Sequence, residues 1–277
     1  MEMLYKYYSN QSIHAFENIK NGVISFTPLV TLNDPLEGLG TYNYNTTEDA
    51  QRFWNCISSN APKLLEENLS RGTRDMLNFK HRIFSTSKEC TNSLLWAHYA
   101  NSHKGFCIGY EKTSIQNVTD NIHDVSYCVK RPYIDVNKPD ELINLLYVKS
   151  KVWSYEKECR AVYSLKDSDV SHFNKELYFD SNKDCNYIYK LHGHTQQKNL
   201  ETLRSPKFIT KECPPNEIYF GMNMTDKDKK RLFNISHKYN VKFYQVKYAD
   251  ITFEFIAEEI PKEYLEFILS DSQTASS

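Results

Sequence analysis

Residues 150–164, SKVWSYEKECRAVYS, set Glu156, Glu158 and Arg160 at every second position. Carboxylates two residues apart on a strand lie about 7 Å apart and repel unless a cation sits between or beside them. Arg160 supplies part of that charge; a positive ligand, or a reaction that builds positive charge, would supply the rest. On a helix, Glu156 and Arg160 would be an ordinary i, i+4 ion pair. The apolar residues instead fit alternation, at 153, 155, 159, 161 and 163, so about 151 to 164 reads as a strand with an acidic even face. A solvated face with a local salt bridge is the plainer alternative, and both stay open on spacing alone.

Other stretches could serve the same site. HRIFSTS ends in Ser85, Thr86 and Ser87; hydroxyls at a strand end bond neighbouring backbone, orient carboxylates, or bind ribose and phosphate. In LLWAHYANSHKGFCIGYE, Trp96 and Tyr99 share a helical stripe that His98 leaves, so His98 faces a cleft or plays a structural part. LNDPLEG offers Asn33, Asp34 and Glu37 on a rigid loop, where Asp34 also suits a plain turn. His192 and His194 have metal-ligand spacing on a strand but no third ligand at useful spacing, so no metal is expected. P-loop, H-E-x-x-H and G-x-S-x-G patterns are absent, which removes the main support for ATPase, zincin and α/β-hydrolase chemistry.

These residues need elements to hold them. LYKYYS (4–9), VISFTP (23–28), HRIFSTS (81–87), GFCIGYE (105–111) and HDVSYCV (123–129) read as strands, as does the segment from about 151 to 164. HAFENIKNG, 47–79, TNSLLWAHYANSH and KPDELINLLYVKSK (138–151) read as helices, the first stopped by Gly22. EIYFG to KFYQVKYAD reads strand, helix, strand, with the helix starting near Thr225 and the last strand near Val241. Residues 166–200 give no clear pattern. The 277 residues suit an α+β fold, a single domain over 1–267 with mixed central sheets and short helices, and a disordered tail over 268–277.

Bulk composition excludes more than it selects. Lys plus Arg (34) balances Asp plus Glu (35), so no global field draws the chain to nucleic acid or an acidic membrane. Seven scattered cysteines fit reduced thiols, and neither a signal peptide nor a long apolar run is visible, so a cytoplasmic protein without membrane contact is expected.

The ordered set N-D-P-x-E (33–37), W-x-H-Y (96–99), K-G-x-C (104–107) and W-x-Y-E-x-E-x-R (153–160) resembles the bacterial domain-of-unknown-function family 2971, over about residues 4–250. That family brings no settled biochemistry, but its members suggest bacterial defence or toxin contexts. A second resemblance reaches a reaction. A basic residue on the first strand, S-T-S on a middle strand and E-x-E on a later one is the order of arginine-type ADP-ribosyltransferases. It implies NAD as substrate. Lys6, beside Tyr7, would hold its phosphates and ribose, and Ser85, Thr86 and Ser87 would brace the pocket. Glu158 would stabilise the ribose as its C–N bond breaks, and Glu156 would help activate the acceptor. Trp96, Tyr99 or Tyr155 would stack the nicotinamide, with His98 near the cleft. Lys6 departs from the arginine expected there and cannot make a planar bidentate grip; Arg82 or Arg160 would take over phosphate contact.

The resulting expectation is an NAD-consuming transferase or glycohydrolase, as a defence effector or toxin. Its acceptor would be a protein or nucleic acid, and an antitoxin or defence-system partner would go with it. Two alternatives stand beside it: a Mg²⁺ nuclease or phosphodiesterase using Asp34, Glu37, Glu156 and Glu158, and a nucleotide-sensing module without turnover.

Overall fold

The computed structural model describes residues 2–42, 62–134, 138–166, 169, 208–261 and 263. The readings for 47–61, for most of 166–200 including His192 and His194, and for the tail over 268–277 lie outside them.

Fourteen strands are described: β1 (Met3–Tyr8), β2 (Val23–Phe26), β3 (Thr41–Tyr42), β4 (His81–Ser87), β5 (Phe106–Glu111), β6 (Ile122–Asp124) and β7 (Ser126–Cys128), then β8 (Tyr133–Ile134), β9 (Val148–Ser150), β10 (Glu158–Ser164), β11 (Ile209–Glu212), β12 (Glu217–Phe220), β13 (Lys242–Tyr248) and β14 (Phe255–Ile260). The helices are α1 (Ile13–Asn21), α2 (Pro62–Lys80), α3 (Ser93–Tyr99), α4 (Lys112–Gln116) and α5 (Asp226–Ser236). The fold is thus α+β, with one large mixed sheet and several short helices. Sequence signals account for the helix ends. Ser12 accepts from Ala15 N, Asn92 from Leu94 N and Leu95 N, and Thr225 from Asp228 N, while Gly22 closes α1 in the left-handed region (φ 64°).

Eight strands form the main sheet in the order β14-β13-β12-β5-β1-β4-β10-β6, parallel only between β12 and β13. Apolar side chains cover both faces. Leu4, Phe106, Ile108, Ala161 and Ile218 meet α1 and α5 through Phe16, Ile19, Leu232 and Phe233. A second cluster joins Tyr7, Trp96, Cys107 and Tyr219.

The sheet is nearly split. β1 pairs with β5 along its whole length, and β10 pairs with β4 from Glu158↔Ser87 to Ser164↔His81. Between these halves, β1 and β4 share one register pair, Tyr5↔Ser87, and then part. Beyond the divergence Thr27 bridges to Ile83, exchanging backbone hydrogen bonds of 2.8 Å in both directions. A cleft therefore opens within the sheet.

Three expectations are corrected. The segment from 151 to 164 is not one strand: Lys151–Glu156 is a 3-10 turn, Lys157 takes a left-handed conformation (φ 43°), and pairing begins at Glu158. HDVSYCV splits into β6 and β7, which join different sheets. Residues 138–151 are not a single helix. Pro139–Tyr147 is a 3-10 run, and Val148–Ser150 leaves it as β9 to pair with β7. β14 was not foreseen.

Candidate functional site

Glu156 and Glu158 belong to a buried ion cluster. Glu37, Lys149, Glu156, Glu158 and Arg160 are each at most 5 % exposed. Arg160 donates from Nε to Glu158 Oε1 (2.8 Å) and from Nη2 to Oε2 (2.9 Å), a planar fork on one carboxylate. The same Nη2 lies 2.7 Å from Glu37 Oε2, and Nη1 donates to Leu146 O at 2.6 Å. Lys149 Nζ is 2.5 Å from Glu156 Oε2, 3.4 Å from Glu158 Oε2 and 3.3 Å from Glu37 Oε1, and it lies 4.8 Å from the Trp153 ring centre. Like-charged carboxylates can gather in a low-dielectric interior only with cations of this kind among them.

Local structure sets these positions. β9 pairs in parallel with β7, Tyr127↔Lys149, which aims Lys149 inward. Tyr127 Oη accepts from Glu158 N at 2.8 Å. The turn at Lys157 places Glu156 beside Glu158 without a continuous strand, and Lys157 itself pairs outside with Glu89. Asp34 Oδ1 accepts from Leu36 N (2.9 Å), holding the N-D-P-x-E loop so that Glu37 turns inward. Tyr99 Oη donates to Glu156 Oε1 at 2.5 Å and accepts from Asn33 Nδ2.

A cavity of about 410 Å³ fills the cleft. Lys6 and Tyr7 of β1, Ser85, Thr86 and Ser87 of β4, and Glu158 at the start of β10 line it, joined by Asn33, Glu37, Tyr99, Lys149 and Glu156. Thr86 donates to Cys159 O (2.6 Å), and Ser87 Oγ accepts from Glu89 N (3.1 Å). Tyr7 points its hydroxyl at Glu89 O (2.6 Å) and packs edge-on to Trp96.

Three expected wall residues lie elsewhere. Trp96 is fully buried in the core and donates its ring N–H to Cys90 O (2.8 Å), so it offers no face to a ligand. His98 is exposed and packs near Tyr155; neither lines the cavity. Arg82 is buried and donates to Asn78 O and His81 O, and Arg160 is spent on its carboxylates, so neither guanidinium is free for a phosphate. Asp34 is buried in its loop away from the cavity lining, so the carboxylates of the Mg²⁺ reading do not form a set of four; the other three meet around the Lys149 ammonium. No group of three metal-ligating side chains occurs among the described residues.

The electrostatics separate the carboxylates. Burial alone would raise the pKa of Glu158, but Arg160 and Lys149 outweigh it and hold it down at about 2. Glu37 moves the other way, because burial exceeds the pull of Arg160 and Lys149. Burial also lowers Lys6, to about 8. Lys149 is pushed up by its three carboxylates despite burial, so it stays charged.

Lys149 is the residue that spacing did not reveal. It stood in K-S-K, a run that reads as solvated; the apolar LLYV before it was the signal that this lysine sits in a buried strand. No helix among the described residues is long and apolar enough to cross a membrane. No curated protein and no solved structure matches the chain. Residues 95–161, which carry Tyr99, Lys149, Glu156, Glu158 and Arg160, match the family described as Protein of unknown function (DUF2971), in agreement with the family read from the four motifs.

Proposed function

We propose that this protein is an NAD-consuming, ADP-ribosyltransferase-like enzyme. One observation carries the reading: Lys6, Ser85–Ser87 and Glu158, set on three neighbouring strands, line one cavity in the parted sheet. Breaking the bond between nicotinamide and ribose sends its electron pair to the nicotinamide and leaves an oxocarbenium-like sugar. A carboxylate fixed beneath that sugar stabilises charge where it develops, at no reorganisation cost. Glu158 meets this need, since its cations keep it ionised and in place. Its two oxygens have about four acceptor sites. Arg160 fills two of them, Lys149 reaches a third at 3.4 Å and Ser85 also contacts the carboxylate, so a ribose hydroxyl would replace the long Lys149 contact or that of Ser85. Lys6 is a cation that phosphates could meet, Tyr99 provides an aromatic wall, and Glu156, bonded to Tyr99, is positioned to assist an acceptor.

An effector of bacterial defence, or a toxin with a dedicated antitoxin, is the setting such chemistry suits. The test is release of fluorescent product from etheno-NAD. Glu158→Gln should lower turnover by about 10²–10³-fold in a protein that still folds; unchanged turnover would remove the role assigned to Glu158. The saturation of Glu156 and Glu158 by Lys149 and Arg160 favours a second reading, nucleotide sensing. Saturable NAD binding without nicotinamide release would select it.

A further inference from the structure

Of the three cations around the cavity, two are engaged. Lys149 and Arg160 face carboxylates at close range, whereas Lys6 carries no hydrogen bond or ion pair among the described residues. Its Nζ lies 5.4 Å from the centre of the Phe84 ring, and the residue lines the cavity. We propose that Lys6 is a carbonyl-reactive lysine, its amine condensing with the aldehyde of a small hydroxyl-bearing ligand such as an open-chain sugar.

A buried lysine with no carboxylate in direct contact gives up its proton more easily than one in water. Burial lowers Lys6 to about 8; Glu158 and Glu156 oppose that fall, while Arg160 and Lys149 reinforce it. A useful fraction of neutral amine is therefore present near neutrality. The hydroxyl-bearing ligand follows from the hydroxyls that line the same cavity. Thr27 donates to Ile83 O and Thr31 to Pro28 O, leaving both oxygens able to accept from sugar hydroxyls, and Ser85 stands beside them. In the reaction, the Nζ lone pair attacks the carbonyl carbon to give a carbinolamine. The nitrogen then loses its two protons, the former carbonyl oxygen leaves as water, and a C=N bond remains. No oxidant or reductant is needed. This inference does not depend on NAD chemistry: the protonated amine could meet a phosphate, and the neutral amine a carbonyl.

The experiment treats the full chain with glyceraldehyde and cyanoborohydride, then compares labelling of individual lysines by peptide mass spectrometry. Lys6 should label at least about tenfold faster than the exposed Lys20, with a rate that climbs as pH rises through 8. Lys6→Arg, which keeps the charge and removes the nucleophile, should lose the fast adduct. Labelling of Lys6 no faster than Lys20 would overturn the proposal. Repeating the reaction with NAD separates the two readings: fast labelling slowed by NAD supports both, whereas fast labelling that NAD leaves unchanged supports the reactive lysine and counts against NAD in this cavity.

Discussion

Arg160 lies fully buried at the centre of the charge cluster. Its guanidinium serves Glu158, Glu37 and a backbone carbonyl at once. Arg160→Met would leave two carboxylates buried with only Lys149 to compensate them, and such an uncompensated charge costs about 3–5 kcal/mol. Urea denaturation should show a correspondingly lower midpoint. Replacing Glu37 and Glu158 by Gln in the same variant should restore part of the loss, because the stranded charges go with them. This cluster was half legible. Glu156, Glu158 and Arg160 announced themselves by spacing, and the need for a further cation followed from repulsion. Its source did not, because Lys149 is brought in by β9, seven residues before Glu156 and across a turn.

At the scale of elements, the site depends on close backbone approaches around β1 and β5. A Cβ on Gly105 would stand 2.1 Å from Tyr8 O and 2.9 Å from Ala100 O, both backbone atoms with little room to yield. Gly105→Ala should therefore cost about 3 kcal/mol, read as a lower thermal midpoint, and should disturb β1 and with it Lys6. Gly105, in K-G-x-C, thus stands directly before β5 where a residue without a side chain is needed. Elements with strong local signals were readable in the sequence: the alternating HRIFSTS, the Gly22 stop and the Thr225 cap. Those set by longer-range packing were not. Lys157 gives no sign of its left-handed turn, since lysine has no preference for it, and β14, with Glu258 and Glu259 side by side, breaks the alternation that marks a strand.

At the scale of the whole molecule, the buried charges tie stability to pH. Glu158 titrates at about 2 in the fold against an ordinary value of 4.5, so its contribution is present above about pH 5 and fades as pH falls toward 2. Thermal midpoints of the native chain and of Glu158→Gln should converge on acidification across that window; a constant gap would mean that Glu158 carries no such shift. The balanced net charge announced none of this, because the charges that matter are paired inside. Nor did composition disclose that the main sheet parts between β1 and β4, since the divergence follows from strand pairing far apart in the chain. That opening is where the functional reading is most directly tested, by a crystal structure of the chain with NAD. The nicotinamide ribose should lie within hydrogen-bond reach of Glu158, with the ring against Tyr99 and the phosphates toward Lys6. Nucleotide bound elsewhere, or a cavity left empty at saturating NAD, would contradict that reading.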